Sequence, residues 1–566
     1  MKSLYIKIIQ KFAFLTLCFS IITINSVFSQ INDNKNEVTV IASYEPSLSD
    51  AFKINFNPVL KDSIFELPAF DYKIQTKIYP TSFSLDPIKP AKIVGEPITK
   101  LYKNLIKVGM GTYTTPYFEF FAGSLRSKKY SMGVHLKHIS SSGKIDEYAK
   151  SSYSDNYIGL FGNRYYNNSN LAGEILFNRE VVHYYGFKPS DFPTYNYSDE
   201  DIRQRFTKFS FNTNYYSTYT DSNKLNHNLA LSFNNISDKF DAKENNIKLN
   251  AGLDVNFKLF NFDNKQTLGL NLLTDFYNHS NSISEGNNSA IFGINPFFKT
   301  NFHEYKIKAG INTAITTSSG MASKLNIFPD IELRLNIIEK VLSVFAGFTG
   351  GIERNSLSKL TDENPYVKSD IATSFQKNKI EIYAGINTGL TKSIDFSASI
   401  SNSSIEGIPL FVNDTNDITR NKFDVIYDKV TRLKVNSQLL FKYDDKLNFA
   451  LEGNIYRYST DTETEAWHKP TIDLTFSTRY NIRNKIIARA DIYAFNKMYA
   501  KNYVNNIMVV EEIKGAVDFN LGIEYRYSKI LSGFINLNNI GALRYQNWYN
   551  YPNHRFSLLA GLSYAF

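Results

Sequence analysis

The chain has 566 residues, of which 43% are hydrophobic, 21% charged and 15% aromatic, with 44 Phe and 38 Tyr against 2 Trp. That aromatic load excludes a disordered, collagen-like or coiled-coil chain. The single cysteine, Cys18, lies in an apolar N-terminal stretch expected to be removed, which excludes disulfide frameworks, zinc ribbons and thiol nucleophiles from the mature protein. The formal charge of +9 includes Lys2, Lys7 and Lys11 and forms no basic block, so no nucleic-acid partner is expected.

In chain order, the first predicted element is an export signal over residues 1–29. Lys2, Lys7 and Lys11 precede an apolar run over 12–24, and Ser29 before Gln30 offers a small-residue cleavage point. That run is shorter than the ~20 residues of a membrane-spanning helix. No later stretch is apolar for long enough, so any membrane crossing must use strands.

Residues 30–103 are predicted to form an extended arm. Between 43 and 103 there is one glycine, Gly95, against Pro46, Pro58, Pro68, Pro80, Pro87, Pro90 and Pro97. Proline at that density removes ladder donors and favours open chain. The arm carries equal numbers of lysines and carboxylates, so it is not a polybasic anchor.

From 104 to 566 the dominant period is two residues. Over 246–258, Ile247, Leu249, Ala251, Leu253, Val255 and Phe257 alternate with Asn246, Lys248, Asn250, Gly252, Asp254, Asn256 and Lys258. The same alternation covers 208–215, 329–337, 431–443, 472–480 and 517–526, which is the period of β-strands. A soluble sandwich alternates in the same way, so connection lengths must decide. Short turns are expected at 126–129, 167–170, 220–224, 261–265, 302–304, 339–340, 391–393, 443–446, 482–484 and 527–529. Long connections are expected at 140–152, 184–203, 237–244, 277–287, 316–324, 353–377, 402–428, 459–469, 495–512 and 538–553, with one short hairpin at 113–116 on that side. Short and long links alternate along the chain, as they do in outer-membrane barrels with tight periplasmic turns and longer extracellular loops. The fold class that follows is all-β: a transmembrane antiparallel β-barrel of about 22 strands over 104–566, in contact with outer-membrane lipid. The last segment, 556–566, keeps Phe556, Leu558, Ala560, Leu562, Tyr564 and Phe566 on one parity.

The parity opposite the apolar one carries Lys248, Asp254, Lys258, Asp330, Glu332, Arg334, Asp473, Arg479, Arg489, Asp491, Asp518, Glu524 and Arg526, expected to line the lumen. Their mixed sign fits a hydrated wall with cross-strand ion pairs, or a surface that holds the arm or a partner. The loop over 184–203, with Tyr184, Tyr185, Phe187, Phe192, Tyr195 and Tyr197, is a candidate to bind a ligand or to cap the barrel. The eight histidines are scattered, and His135 and His138 point to opposite faces of their strand, so no metal site or other cofactor is expected. No P-loop, nucleophile elbow or paired-carboxylate motif is present, and no enzyme activity is expected.

Strand number, mixed loop lengths and the terminal aromatic resemble the TonB-dependent receptors, and the Lys-, Asn-, Ile-, Tyr- and Phe-rich composition is similar to their Bacteroidota relatives. The resemblance covers roughly 104–566. It implies a location in the outer membrane after export and a role in passage or reception, with TonB as partner. Glu37, Val38, Thr39, Val40, Ile41 and Ala42 look like the TonB box through which such receptors are energised. The departure lies in the arm, which is too short for the globular plug of that family. Partner proteins, periplasmic or in the outer membrane, are therefore expected to seal the lumen. The alternative is a non-transporting barrel subunit of an outer-membrane protein assembly or secretion complex.

Overall fold

The computed structural model describes residues 102–566, apart from 125–126, 220–223, 259–265, 283–285 and 505–506. The predicted signal, the arm and the segment Glu37–Ala42 lie outside the described residues. Twenty-two strands form one antiparallel sheet, from Asn104–Gly111 to Ser557–Ala565. The sheet closes on itself: the first strand pairs with the second and also with the last, from Leu105↔Ala565 to Gly111↔Leu559. Closure satisfies the backbone donors and acceptors that hydrocarbon cannot, and leaves no edge strand.

Alternation sets the two faces of the wall. On strand Lys243–Phe257, Ile247 and Leu249 are among the exposed apolar side chains, and on Met321–Ile338 so are Ile331 and Leu333. Their counterparts on every other strand make a continuous apolar exterior, which only a membrane can cover. The chain is a transmembrane β-barrel.

Among the described residues the short turns fall where alternation breaks, between successive strands on one rim, while those expected at 220–224 and 261–265 lie largely outside the described residues. The hairpin at Pro116 is real: Tyr113 and Thr114 both take positive φ, 59° and 49°, and Pro116 pairs with Met110 at the start of its strand. Two expected long loops are shorter than read. The link at 316–324 is a tight turn at Ser319 and Gly320, with φ of +76° at the glycine, because the flanking strands run on to Ser318 and resume at Met321. The link at 402–428 narrows to 414–422 between strands of 20 and 21 residues. About 9–11 tilted residues suffice to cross the bilayer, so the surplus rises above it. There both faces are wet or loop-packed, and Ser401, Asn402, Ser403 and Ser404 no longer show an apolar parity.

Candidate functional site

The long loops do not stand apart. Residues 184–202 leave the fifth strand, 356–373 the thirteenth and 539–556 the twenty-first, yet they share one hydrophobic core with Phe411 and Phe423, the strand residues that flank the link 414–422 after the fifteenth. That core includes Tyr184, Tyr185, Phe187, Leu357, Leu360, Val367, Phe423 and Tyr551. The fifth and fifteenth strands lie almost half a circumference apart, so these contacts cross the mouth. Each buried aromatic contributes ~1.5–3 kcal/mol by leaving water, which holds the loops together against their entropy.

Hydrogen bonds fix the register of this cap. The Tyr184 hydroxyl is fully buried, donates to the Val367 carbonyl at 2.8 Å and accepts from Gln204 Nε2 at 3.0 Å. The same Gln204 amide also donates to Asp238 at 3.0 Å and to Ser369 Oγ at 3.2 Å. Asn421 Nδ2 donates to the Tyr184 carbonyl at 2.6 Å, and the Tyr551 hydroxyl donates to the Asn421 carbonyl. Tyr185 donates to the Pro552 carbonyl at 3.0 Å. Tyr551 stacks on Tyr366 at 3.8 Å between centroids, and Tyr185 meets Tyr551 edge to face at 4.8 Å. Phe187 packs edge-on against Tyr197 at 5.1 Å, with Phe192 and Tyr195 at the margin of the core. The aromatic residues singled out in this loop are therefore brought together, with Tyr184, Tyr185 and Phe187 buried against other loops.

A second group surrounds His468. Its Nδ1 contacts the Phe411 carbonyl at 3.0 Å and Nε2 lies 3.3 Å from the Tyr549 N–H, so the ring donates through Nδ1, accepts through Nε2 and is neutral. Burial pushes its pKa down to about 3. The indole of Trp467 is buried beside it and donates to Glu463 at 2.8 Å. Asp428 anchors this loop by accepting from the N–H groups of Thr462 at 3.1 Å and Glu463 at 3.0 Å.

The loop over 356–373 carries a short helix, Leu357–Glu363, capped by Ser356 Oγ. Leu357, Leu360 and Thr361 are buried, while its acidic end reaches a wall strand and a second loop. Asp362 pairs with Lys208 on the sixth strand, and Glu363 pairs with Lys469 between the seventeenth and eighteenth. The helix end thus joins a wall strand to a second long loop. Cavities of about 530 Å³ and 580 Å³ flank the helix, both touching Lys359. The first is walled by Asn178, Asn234, Asn246, Ser210 and Tyr277, the second by Gln376, Asn378, Arg432 and Lys469.

The polar parity of the strands is paired. Lys248 lies 4.0 Å from Asp275, and Asp254 accepts from Asn226 at 2.9 Å. Asp330 pairs with Lys308 at 2.5 Å, and Glu332 accepts from Arg334 at 3.2 Å and from Tyr383 at 3.1 Å. Glu524 pairs with Arg526 at 3.4 Å, and Asp518 accepts from Tyr545 of the last long loop at 2.7 Å. Lys258, at the end of its strand, is exposed. A further cluster was not singled out in the sequence: Glu119 accepts from Tyr117 at 2.7 Å and contacts Lys107 at 3.0 Å and His135 at 3.1 Å. The cap residues Tyr366, His468, Trp548 and Tyr551 were also missed. The available signal was that both tryptophans, Trp467 and Trp548, fall in expected long links rather than in the alternating segments.

No family model and no curated protein sequence matches the chain. Solved structures do match it in fold. The ferripyoverdine receptor of the outer membrane of Pseudomonas aeruginosa aligns over 83% of this chain and 72% of its own at 10% identity, with a TM-score of 0.62. The ferric-catecholate import receptor Fiu from E. coli K12 aligns over 82% of each chain at 9% identity and a TM-score of 0.60. The FrpB iron transporter from Neisseria meningitidis covers 83% of this chain and 82% of its own at 10% identity and a TM-score of 0.60. At such identities the likeness is one of fold: the 22-strand barrel of TonB-dependent outer-membrane receptors.

Proposed function

We propose that this barrel, which has the fold of outer-membrane receptors, works as a receptor or passage whose mouth is closed by its own loops and opens when the loop cap gives way. The observation that carries the reading is the helix Leu357–Glu363, packed into the loop core and tied to the sixth strand through Lys208–Asp362 and to the 461–471 loop through Lys469–Glu363. A wall that only had to span lipid has no use for a helix tied in this way among its loops. The polar cavities on either side of the helix are the places a solute meets first once it passes the cap. Energy for opening would come through the segment Glu37–Ala42, acting as a TonB box, and the rest of the seal from the N-terminal arm or a periplasmic partner.

Uptake of a bulky hydrophilic antibiotic by intact cells tests this reading. Replacing both Lys208 and Lys469 by methionine removes the two ties while keeping side-chain length. Cells producing that variant are expected to become several-fold more sensitive than cells producing the parent chain. Unchanged sensitivity in a variant that reaches the membrane folded contradicts the reading. The second reading, a non-transporting subunit of an assembly or secretion complex, is favoured by the packing of the described long loops against one another. It predicts stoichiometric partners on purification from native membranes.

A further inference from the structure

The exterior wall changes character at its loop-side edge between the seventh and tenth strands. Ile247, Phe276 and Phe292 face outward on three adjacent strands, 48%, 45% and 38% exposed, and the two phenyl rings meet edge to face at 5.3 Å. One outward position nearer the loops than Ile247 and Phe276, and two nearer than Phe292, four adjacent strands carry asparagine: Asn235↔Asn245↔Asn278↔Asn288 are consecutive register partners. Asn235 donates to Asn245 Oδ1 at 2.8 Å and Asn278 to Asn288 Oδ1 at 2.7 Å. Between the two pairs, the amide N–H groups of Asn245 and the Oδ1 of Asn278 have no hydrogen-bond partner among the described residues. Apolar floor and amide rim together form a groove of about 420 Å³ on the outside of the barrel.

Charge stands just above that rim. Lys243, exposed, is the next outward residue beyond Asn245 on the same strand. Ser237 and Thr207 link it through the register to Arg179, and Arg205 lies two residues from Thr207 on the same outward parity. None of these three cations has a carboxylate partner among the described residues, although Asp241 sits in the adjoining turn. An open amide at the edge of hydrocarbon is unfavourable unless something hydrogen-bonds to it, and a row of outward cations draws anions.

We propose that this groove binds an outer-leaflet glycolipid of the lipid A class, an acylated and phosphorylated amino sugar. Its acyl chains lie over Ile247, Phe276 and Phe292, its sugar amides and hydroxyls meet Asn245 and Asn278, and its phosphate meets Lys243 and Arg205. An ordinary phospholipid fills the floor but lacks the sugar that the open amides call for.

Native mass spectrometry of the full mature chain in detergent, titrated with purified lipid A, tests this. The parent chain is expected to retain one lipid A molecule. Asn245→Leu with Asn278→Leu, and separately Lys243→Glu with Arg205→Glu, are each expected to weaken that retention about tenfold, the scale of losing a hydrogen bond to a charged or buried group. Both pairs sit on the outer surface, and heat-modifiable gel mobility reports that each variant is folded. Phosphatidylglycerol, which has the charge without the amino sugar, is expected to be lost from all three proteins alike. Equal retention of lipid A by the parent and both variants, or retention of phosphatidylglycerol as strong as that of lipid A, overturns the proposal.

Discussion

Tyr184 shows how one side chain ties distant strands together. Its hydroxyl serves Val367 and Gln204, while its carbonyl serves Asn421. Removing the hydroxyl in Tyr184→Phe leaves a buried carbonyl and a buried amide without it, and is expected to destabilise the cap by ~1–3 kcal/mol. Limited proteolysis at the loops reads this as faster cleavage with the barrel intact. His468 adds a pH dependence. Its pKa is about 3 when buried against an ordinary value of 6.5, so the opened cap binds the extra proton between those limits. Cap stability is then full above pH 6.5 and falls as the pH drops toward 3, by about 1.4 kcal/mol per unit. Burial of His554 lowers its pKa and acts in the same direction. His183, beside Tyr184, is lowered by burial as well. Loop proteolysis should accelerate between pH 7 and 5, and His468→Gln should reduce that change. Tyr184 stood out in the sequence as part of a loop that could cap the barrel, but its partners were not legible, because Tyr184 meets Val367 and Tyr551 meets Asn421 across separations of 183 and 130 residues.

At the scale of elements, the strands were the legible part. Strict alternation over 246–258, 329–337 and 517–526 reappears as paired strands, and each short turn among the described residues lies where the pattern breaks. Alternation works inside the membrane because one face meets lipid and the other water. It fails above the membrane, which is why 316–324 and 402–428 read as loops although most of their residues are paired. The helix Leu357–Glu363 escaped for a different reason: seven residues give too short a periodic signal, and its stability comes from Leu357 and Leu360 packing into the cap. Leu360→Ala is expected to cost ~2–5 kcal/mol at this buried position. Because the loss falls on the cap rather than the sheet, hydrogen exchange should rise over 356–373 and stay slow in the strands.

For the whole molecule, closure and capping are separate achievements. Closure is written into strand number and the returning register of Leu105 with Ala565. Capping depends on loops from the fifth and fifteenth strands meeting, which no local pattern encodes. The account therefore stands or falls on whether opposite rims touch in the membrane. The single cysteine of the sequence, Cys18, lies in the predicted signal, so paired spin labels can be placed without background at Ser190→Cys and Asn416→Cys, two exposed positions on those loops. A capped mouth predicts one short, narrow distance distribution in native outer membrane. A broad distribution centred near the full width of the bore would contradict it.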